Sequence, residues 1–168
     1  MKKLIICAIC AICSFTAAQA QAKFGHVNTQ EIFQLMPEVK VARAEIDTLT
    51  MKYENDLKQM QDELQKKGEA FEKEQATLPD NIKQRRQQEL QDMYQKIQQS
   101  YQDNQQALQK EQQDKMQAIT AKILEAIKKV GEEGEYVYIM ETSGGIPFIN
   151  PKFSIDVTAQ VKAKLGLR

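Results

Sequence analysis

The chain has 168 residues, 23 Lys+Arg against 23 Asp+Glu, 42% apolar and 7% aromatic residues, no Trp and three Cys. That length allows one domain or at most two small ones, and the balanced charge argues against a nucleic-acid partner. After the first twenty residues no apolar run approaches the roughly 20 residues that a membrane-spanning helix needs.

At the N-terminus, Lys2 and Lys3 precede an apolar run from Leu4 to Phe15, and Ala18-Gln19-Ala20 closes it. This is the pattern of a cleavable secretory signal peptide, with cleavage after Ala20. Cys7, Cys10 and Cys13 all lie inside it; Cys10 and Cys13 follow Ile9 and Ile12, where a lipid-acceptor cysteine requires a small residue. Cleavage leaves 148 residues without cysteine, and 23 basic side chains less Lys2 and Lys3 give 21 against 23 acidic ones, a net charge of −2. An exported chain of this kind has no disulfide framework, no thiolate metal site and no cysteine nucleophile.

Lys23 to Asn28 is expected to form a short strand. Asn28 or Thr29 would cap a brief helix over Gln30–Met36, which Pro37 interrupts or kinks. Beyond it the apolar residues segregate: 13 of 28 positions in 24–51, 17 of 66 in 52–117 and 23 of 48 in 118–165. A chain that builds one core from both flanks and extends its middle outward has this distribution; a uniform globule does not.

The middle reads as helix, first over Glu38 to Thr77. Its apolar stripe falls at Ile46, Leu49, Tyr53, Leu57, Met60, Leu64, Gly68 and Phe71, an eleven-residue repeat that specifies a nearly straight stripe. Thr77 to Asn81, with Leu78-Pro79, supplies a turn, and Asp80 or Asn81 an N-cap. A second helix runs from Ile82 to Val130, ending before Gly131 and Gly134. Its stripe includes Leu90, Met93, Ile97, Tyr101, Leu108, Met116, Ile119, Ile123, Ile127 and Val130, in the same phase through 90, 101, 112 and 123. Between Tyr101 and Met116 only Ala107 and Leu108 are apolar. Two such helices joined by a tight turn form an antiparallel hairpin about 60 Å long, whereas a compact chain of this size has a diameter near 40 Å. The hairpin must therefore project as an arm.

After the arm, Tyr136 to Met140 is a strong strand pattern, Ser143-Gly144-Gly145 a turn, and Ile146–Ile149 a second strand whose Pro147 suits an edge. Asp156 is placed to cap a closing helix with Val157, Val161 and Leu165 on one face and Gly166 beyond its end. Three short strands make a small core with exposed edges, so oligomerisation is expected. The expected fold is α+β: a long antiparallel α-helical hairpin projecting from a small β-rich hub, with the hub from 21–51 and 118–168 and the arm from 52–117, tip near 78–81.

Catalytic constellations are scarce. His26 is the only histidine, and a lone imidazole without thiolates is a poor metal site. Asp62-Glu63 and Glu132-Glu133 read as solvated surface charge, and Gly144-Gly145 as a hairpin turn without the helix a phosphate cradle requires. Lys83, Arg85 and Arg86 form a basic cluster diluted by Asp80, Glu89 and Asp92. Neither cofactor nor metal nor enzymatic activity is expected. The informative feature is the stripe, which serves as the seam between the two arm helices. It also carries Met60, Met93, Met116, Tyr53, Tyr94 and Tyr101, adaptable side chains suited to weak contact with many apolar partners.

With these features in place, the chain resembles the Skp/OmpH family of periplasmic chaperones over essentially its whole mature length. The resemblance rests on Phe24-Gly25-His26-Val27-Asn28, Ile32-Phe33 and Pro37-Glu38, the Gln-rich hairpin, Tyr136 to Met140, Ile149-Asn150, and Ile155-Asp156-Val157-Thr158 with Val161. It implies a soluble periplasmic homotrimer whose subunits pool strands in a hub from which three helical tentacles hang. These would hold unfolded outer-membrane β-barrel proteins, without ATP, and prevent their aggregation in transit. In that frame Phe24, Val27, Tyr136, Val137, Tyr138, Ile139, Ile146 and Phe148 would serve the hub and its oligomerisation. Tyr53, Leu57, Met60, Leu64, Phe71, Met93, Tyr94, Ile97, Tyr101 and Leu108 would contact clients. Lys83, Arg85 and Arg86 are the candidate contact for lipopolysaccharide or an anionic membrane surface, although their spacing departs from the family's basic patch. The near-neutral charge also departs from the markedly basic members, which shifts the expected grip from electrostatic to apolar contact. The rival expectation is a structural coiled-coil adaptor of the cell envelope.

Overall fold

The computed structural model describes residues 22–167; the signal peptide, its three cysteines and the cleavage position after Ala20 lie outside the described residues. The order of elements is β1 (Lys23–Val27), α1 (Thr29–Leu35), α2 (Pro37–Glu74), α3 (Asp80–Glu133), β2 (Tyr136–Glu141), β3 (Ser154–Asp156) and α4 (Thr158–Lys164). The fold is α+β, two long helices and a three-stranded sheet. It divides into two compact units, one of the segment ending at Thr29 with Ala126–Gly166, the other of Gln30–Glu125. Among the described residues no helix is long and apolar enough to cross a membrane.

In the first unit the strand order is β2-β1-β3, and both pairings are parallel. Phe24 pairs with Tyr138 and Ser154, and His26 with Met140 and Asp156. The β1–β2 register slips between Lys23 and Phe24, leaving Val137 as the extra residue of a bulge. That slip puts Tyr136 and Ile139 on the same face, where both lie against Gly25: a Cβ there would stand 3.1 Å from Ile139 and 3.2 Å from Tyr136. Val27, two residues along β1 on this face, is buried, as are Val130, Val157 and Val161 in the same unit.

The expected hairpin of two strands around Gly144-Gly145 is not formed. Ser143 to Gly145 do turn, but residues 146–150 join no strand. The second edge of β1 is taken instead by β3, reached through a twelve-residue connection, the length a parallel crossover requires. Pro147 offers no donor to a ladder, whereas Ser154–Asp156 pairs with β1 and leads directly into α4. Asp156 Oδ1 accepts from the Thr158 backbone N–H at 2.8 Å, and Gly166 follows the helix with φ 72°. The N-cap itself is Val157, which has no capping side chain, so Asp156 stands one residue earlier than the expected cap and serves the first helical N–H from there.

In the second unit Pro37 opens α2 at its first turn, where its missing N–H costs no hydrogen bond. The helix α3 starts at Asp80, with the Pro79 carbonyl accepting from Ile82 and Lys83, so the expected side-chain cap at Asp80 or Asn81 gives way to Asp80 lying inside the first turn. At its other end α3 does not stop at Val130 but continues through Gly131 to Glu133. It ends where Gly134 donates to the Val130 carbonyl and Glu135 adopts φ 54°.

Candidate functional site

Four ion pairs tie α2 to α3: Glu38–Lys122 at 2.8 Å, Glu45–Lys115 at 2.5 Å, Lys67–Glu89 at 2.5 Å and Glu74–Arg86 at 2.6 Å. They advance along α2 as they retreat along α3, which fixes an antiparallel register. Each is solvent-exposed on at least one side and screened by water, so the pairs set register more than they hold the helices together.

The stripe on α2 is the buried side of the hairpin. Ile46, Leu49, Tyr53, Leu57, Met60, Leu64 and Gly68 are half-buried and Phe71 is buried, with mostly exposed polar residues between them; Met51 is an exposed apolar exception. On α3 the phase differs from the expected one. Met93 is half-buried and Ile97 buried, but the inward positions then move to Ser100, Asn104, Ala107, Leu108, Glu111 and Lys115. Tyr94 is 57% exposed and Tyr101 52%, so these two lie outside the seam in which the sequence placed them. The inward positions on α3 step from Met93 through Ile97, Ser100, Asn104, Leu108, Glu111 and Lys115, so the turn after Ile97 advances by three residues and leaves Tyr101 on the exposed side. Gln105 Nε2 donates to the Tyr101 hydroxyl at 2.7 Å and ties that ring to the helix surface. The middle of the seam is thus partly polar, between an apolar end at Phe71 and Ile97 and another at Ala42, Ile119 and Ile123.

Of the basic cluster, Arg86 is engaged by Glu74, Lys83 is half-buried and Arg85 exposed. Glu89, next to it, has its carboxyl held below the usual value first by the hydrogen bond from Lys67, with Arg85 and Arg86 adding to the effect. Among the described residues no group of three His, Cys, Asp or Glu side chains is placed to hold a metal ion. His26 Nδ1 lies 2.9 Å from Ser154 Oγ on the sheet.

The sheet's second face carries Phe24, His26, Tyr138 and Met140. Tyr138 is 49% and Met140 46% exposed, and Val137, Phe148, Phe153 and Ile155 are exposed elsewhere in the same unit. Of the eight hub candidates, Val27 alone is buried in the single chain; Phe24, Tyr136, Ile139 and Ile146 are half-buried, and Val137, Tyr138 and Phe148 are exposed. A parallel sheet is normally covered on both faces.

The model of the family described as outer membrane protein (OmpH-like) matches residues 23–165, from the first residue of β1 to the residue that closes α4. The chain belongs to the OmpH-like family. A solved structure, a candidate outer membrane chaperone (OmpH-like) from Caulobacter crescentus CB15, superposes with a TM-score of 0.71 at 16% identity, covering 89% of this chain and 87% of that one. Among curated proteins none matches the sequence. Within this OmpH-like fold, Met140, Phe153 and Ile155 extend the exposed apolar surface beyond the residues picked from sequence. Phe153 and Ile155 escaped because the strand was sought at Ile146–Ile149; Met140 was seen as strand, but its face is set by the bulge.

Proposed function

We propose that this protein is an ATP-independent periplasmic holdase chaperone, exported by its cleaved leader, that binds unfolded outer-membrane β-barrel proteins and prevents their aggregation. The observation that carries this reading is the uncovered sheet face of Phe24, Tyr138 and Met140 in a member of the OmpH-like family. Covering that face with further copies of the chain gives a homotrimer with its hub in 21–51 and 118–168, and leaves the arm, 52–117, free to meet clients.

On the arm, Tyr94 and Tyr101 offer exposed rings directly. Leu57, Met60, Leu64, Met93 and Leu108, half-buried in the seam, become available as the partly polar middle of the hairpin loosens. Many weak apolar contacts of this kind retain a client and release it without an energy source. Lys83 and Arg85 remain the candidate contact for an anionic lipid; with Arg86 engaged by Glu74, that contact ranks below the apolar grip. Light scattering from a urea-diluted outer-membrane barrel protein tests the reading: the mature chain suppresses it without nucleotide, whereas a structural adaptor leaves it unchanged.

A further inference from the structure

His26 is the only histidine of the sequence, and it stands on the sheet face that the single chain leaves uncovered. On β1 it alternates with Gly25 and Val27, which are buried on the other face, and so shares its side with Phe24. Across the two pairings its neighbours are Met140 on β2 and Asp156 on β3, and Nδ1 lies 2.9 Å from Ser154 Oγ. Charged groups around the ring are few. From β3 comes the Asp156 carboxylate, whose Oδ1 accepts from the Thr158 backbone N–H at 2.8 Å. Burial would raise that carboxyl; the Thr158 hydroxyl and N–H, with His26 and with Lys162 of α4, bring it below its ordinary value of 3.8. β2 contributes Met140 and the Tyr138 ring, while the Glu141 carboxylate at its end is taken by Thr29, Ser143 and Gly144. On β1 itself Lys23 donates to the Gly134 carbonyl. These carboxylates stay charged at neutral and mildly acid pH, whereas imidazole is the side chain whose charge changes between about pH 5 and 8.

We propose that His26 is a pH switch of self-association: copies of this chain assemble through the Phe24, Tyr138 and Met140 face with a neutral imidazole and separate when it is protonated. The inference rests on the homotrimer reading and adds its regulation. Two effects set the sign. A second copy seated on this face covers a half-buried ring with aromatic and thioether side chains, and taking a charge out of water is unfavourable unless the charge is paired. Asp156 is the neighbouring carboxylate, but the helix that follows it already engages its Oδ1. Symmetry supplies the second effect, because every copy brings the same positive charge to one hub, where like charges disfavour one another. The assembled form therefore binds fewer protons than the separate chains, and association weakens as pH falls through this range.

The test is sedimentation equilibrium of the full mature chain at about pH 7.5 and about pH 5.5, at one ionic strength, beside the variant His26→Asn. Asn keeps a polar atom near the position of Nδ1 for Ser154 and does not titrate; His26→Gln takes its place if that variant does not fold. The parent is expected to associate at least about tenfold more weakly at the acid pH with an unchanged circular dichroism spectrum, and the variant equally at both. The α-amino group also titrates near the upper end of this range, and the variant retains it as an internal control. A parent trimeric to the same extent at both pH values, a variant that keeps the parent's pH dependence, or dissociation that coincides with unfolding removes the switch and leaves the homotrimer reading standing. A parent that is folded and monomeric at both pH values overturns the homotrimer reading and the switch with it.

Discussion

The Phe24 ring lies 4.8 Å from the Tyr138 ring across the β1–β2 pairing, the two planes tilted by 33°. The pair is preformed in the single chain on the exposed face of a parallel sheet, so a partner surface meets it without reordering either ring. Aromatic pairs of this geometry add about 0.5–1.5 kcal/mol beyond the area they bury.

Replacing Tyr138 with Lys is therefore expected to weaken self-association at least tenfold, about 1.4 kcal/mol. Sedimentation equilibrium of the mature chain should give a trimer, and the variant a monomer at the same concentration. A variant as trimeric as the parent would place the interface elsewhere.

The hairpin separates stabilising residues from exposed ones. Ile97 is 7% exposed, and Ile97→Ala is expected to cost about 2–4 kcal/mol through lost burial and the cavity left behind. The double change Tyr94→Ala with Tyr101→Ala should leave the thermal midpoint nearly unmoved and weaken client retention instead. Thermal melts and client-aggregation assays on both variants check the contrast.

Glu141 ties the end of β2 to the turn that follows. Its carboxylate accepts from the Ser143 hydroxyl, from the Thr29 hydroxyl at 2.8 Å, and from the backbone N–H groups of Ser143 at 2.9 Å and Gly144 at 3.1 Å. The Ser143 hydroxyl bond is the main cause that holds this carboxyl below its ordinary value of 4.5, with Thr29 and the backbone donors adding and burial opposing. With the folded value lowered, the contribution to stability is fully present above about pH 4.5 and is lost as pH falls through the folded value. Glu141→Gln should destabilise the protein at neutral pH, and thermal melts should show the gap to the parent closing on the acid side.

Gly134 is required by the close return of the chain after α3. A Cβ at 134 would stand 2.3 Å from Tyr136 Cε2 and 3.0 Å from the Val130 carbonyl oxygen. Displacing that ring disturbs its packing against Gly25, so Gly134→Ala is expected to cost about 1–3 kcal/mol in denaturant unfolding. Gly68→Ala, with nothing within 4 Å of the added methyl, should not destabilise.

What the sequence made legible was local. The eleven-residue repeat from Ile46 to Phe71 marks the buried side of α2, and the aromatic and β-branched run at Tyr136 marks β2. On α3 the polar middle broke the pattern: with few apolar residues after Ile97, nothing in the sequence distinguishes a phase through Tyr101 from one through Ser100 and Asn104. Strand partnership escaped for a different reason. Ile146–Ile149 is the more strand-like segment by composition, yet the edge of β1 is taken by Ser154–Asp156, a choice made by chain connection and by the helix that follows it.

The most direct test of the holdase reading is a titration of the mature chain against a urea-unfolded outer-membrane β-barrel protein, followed by light scattering in the absence of ATP. Scattering should fall to baseline near one trimer per client and stay there while the client remains bound. Scattering that rises as in buffer alone, with the chain folded and trimeric, would contradict it.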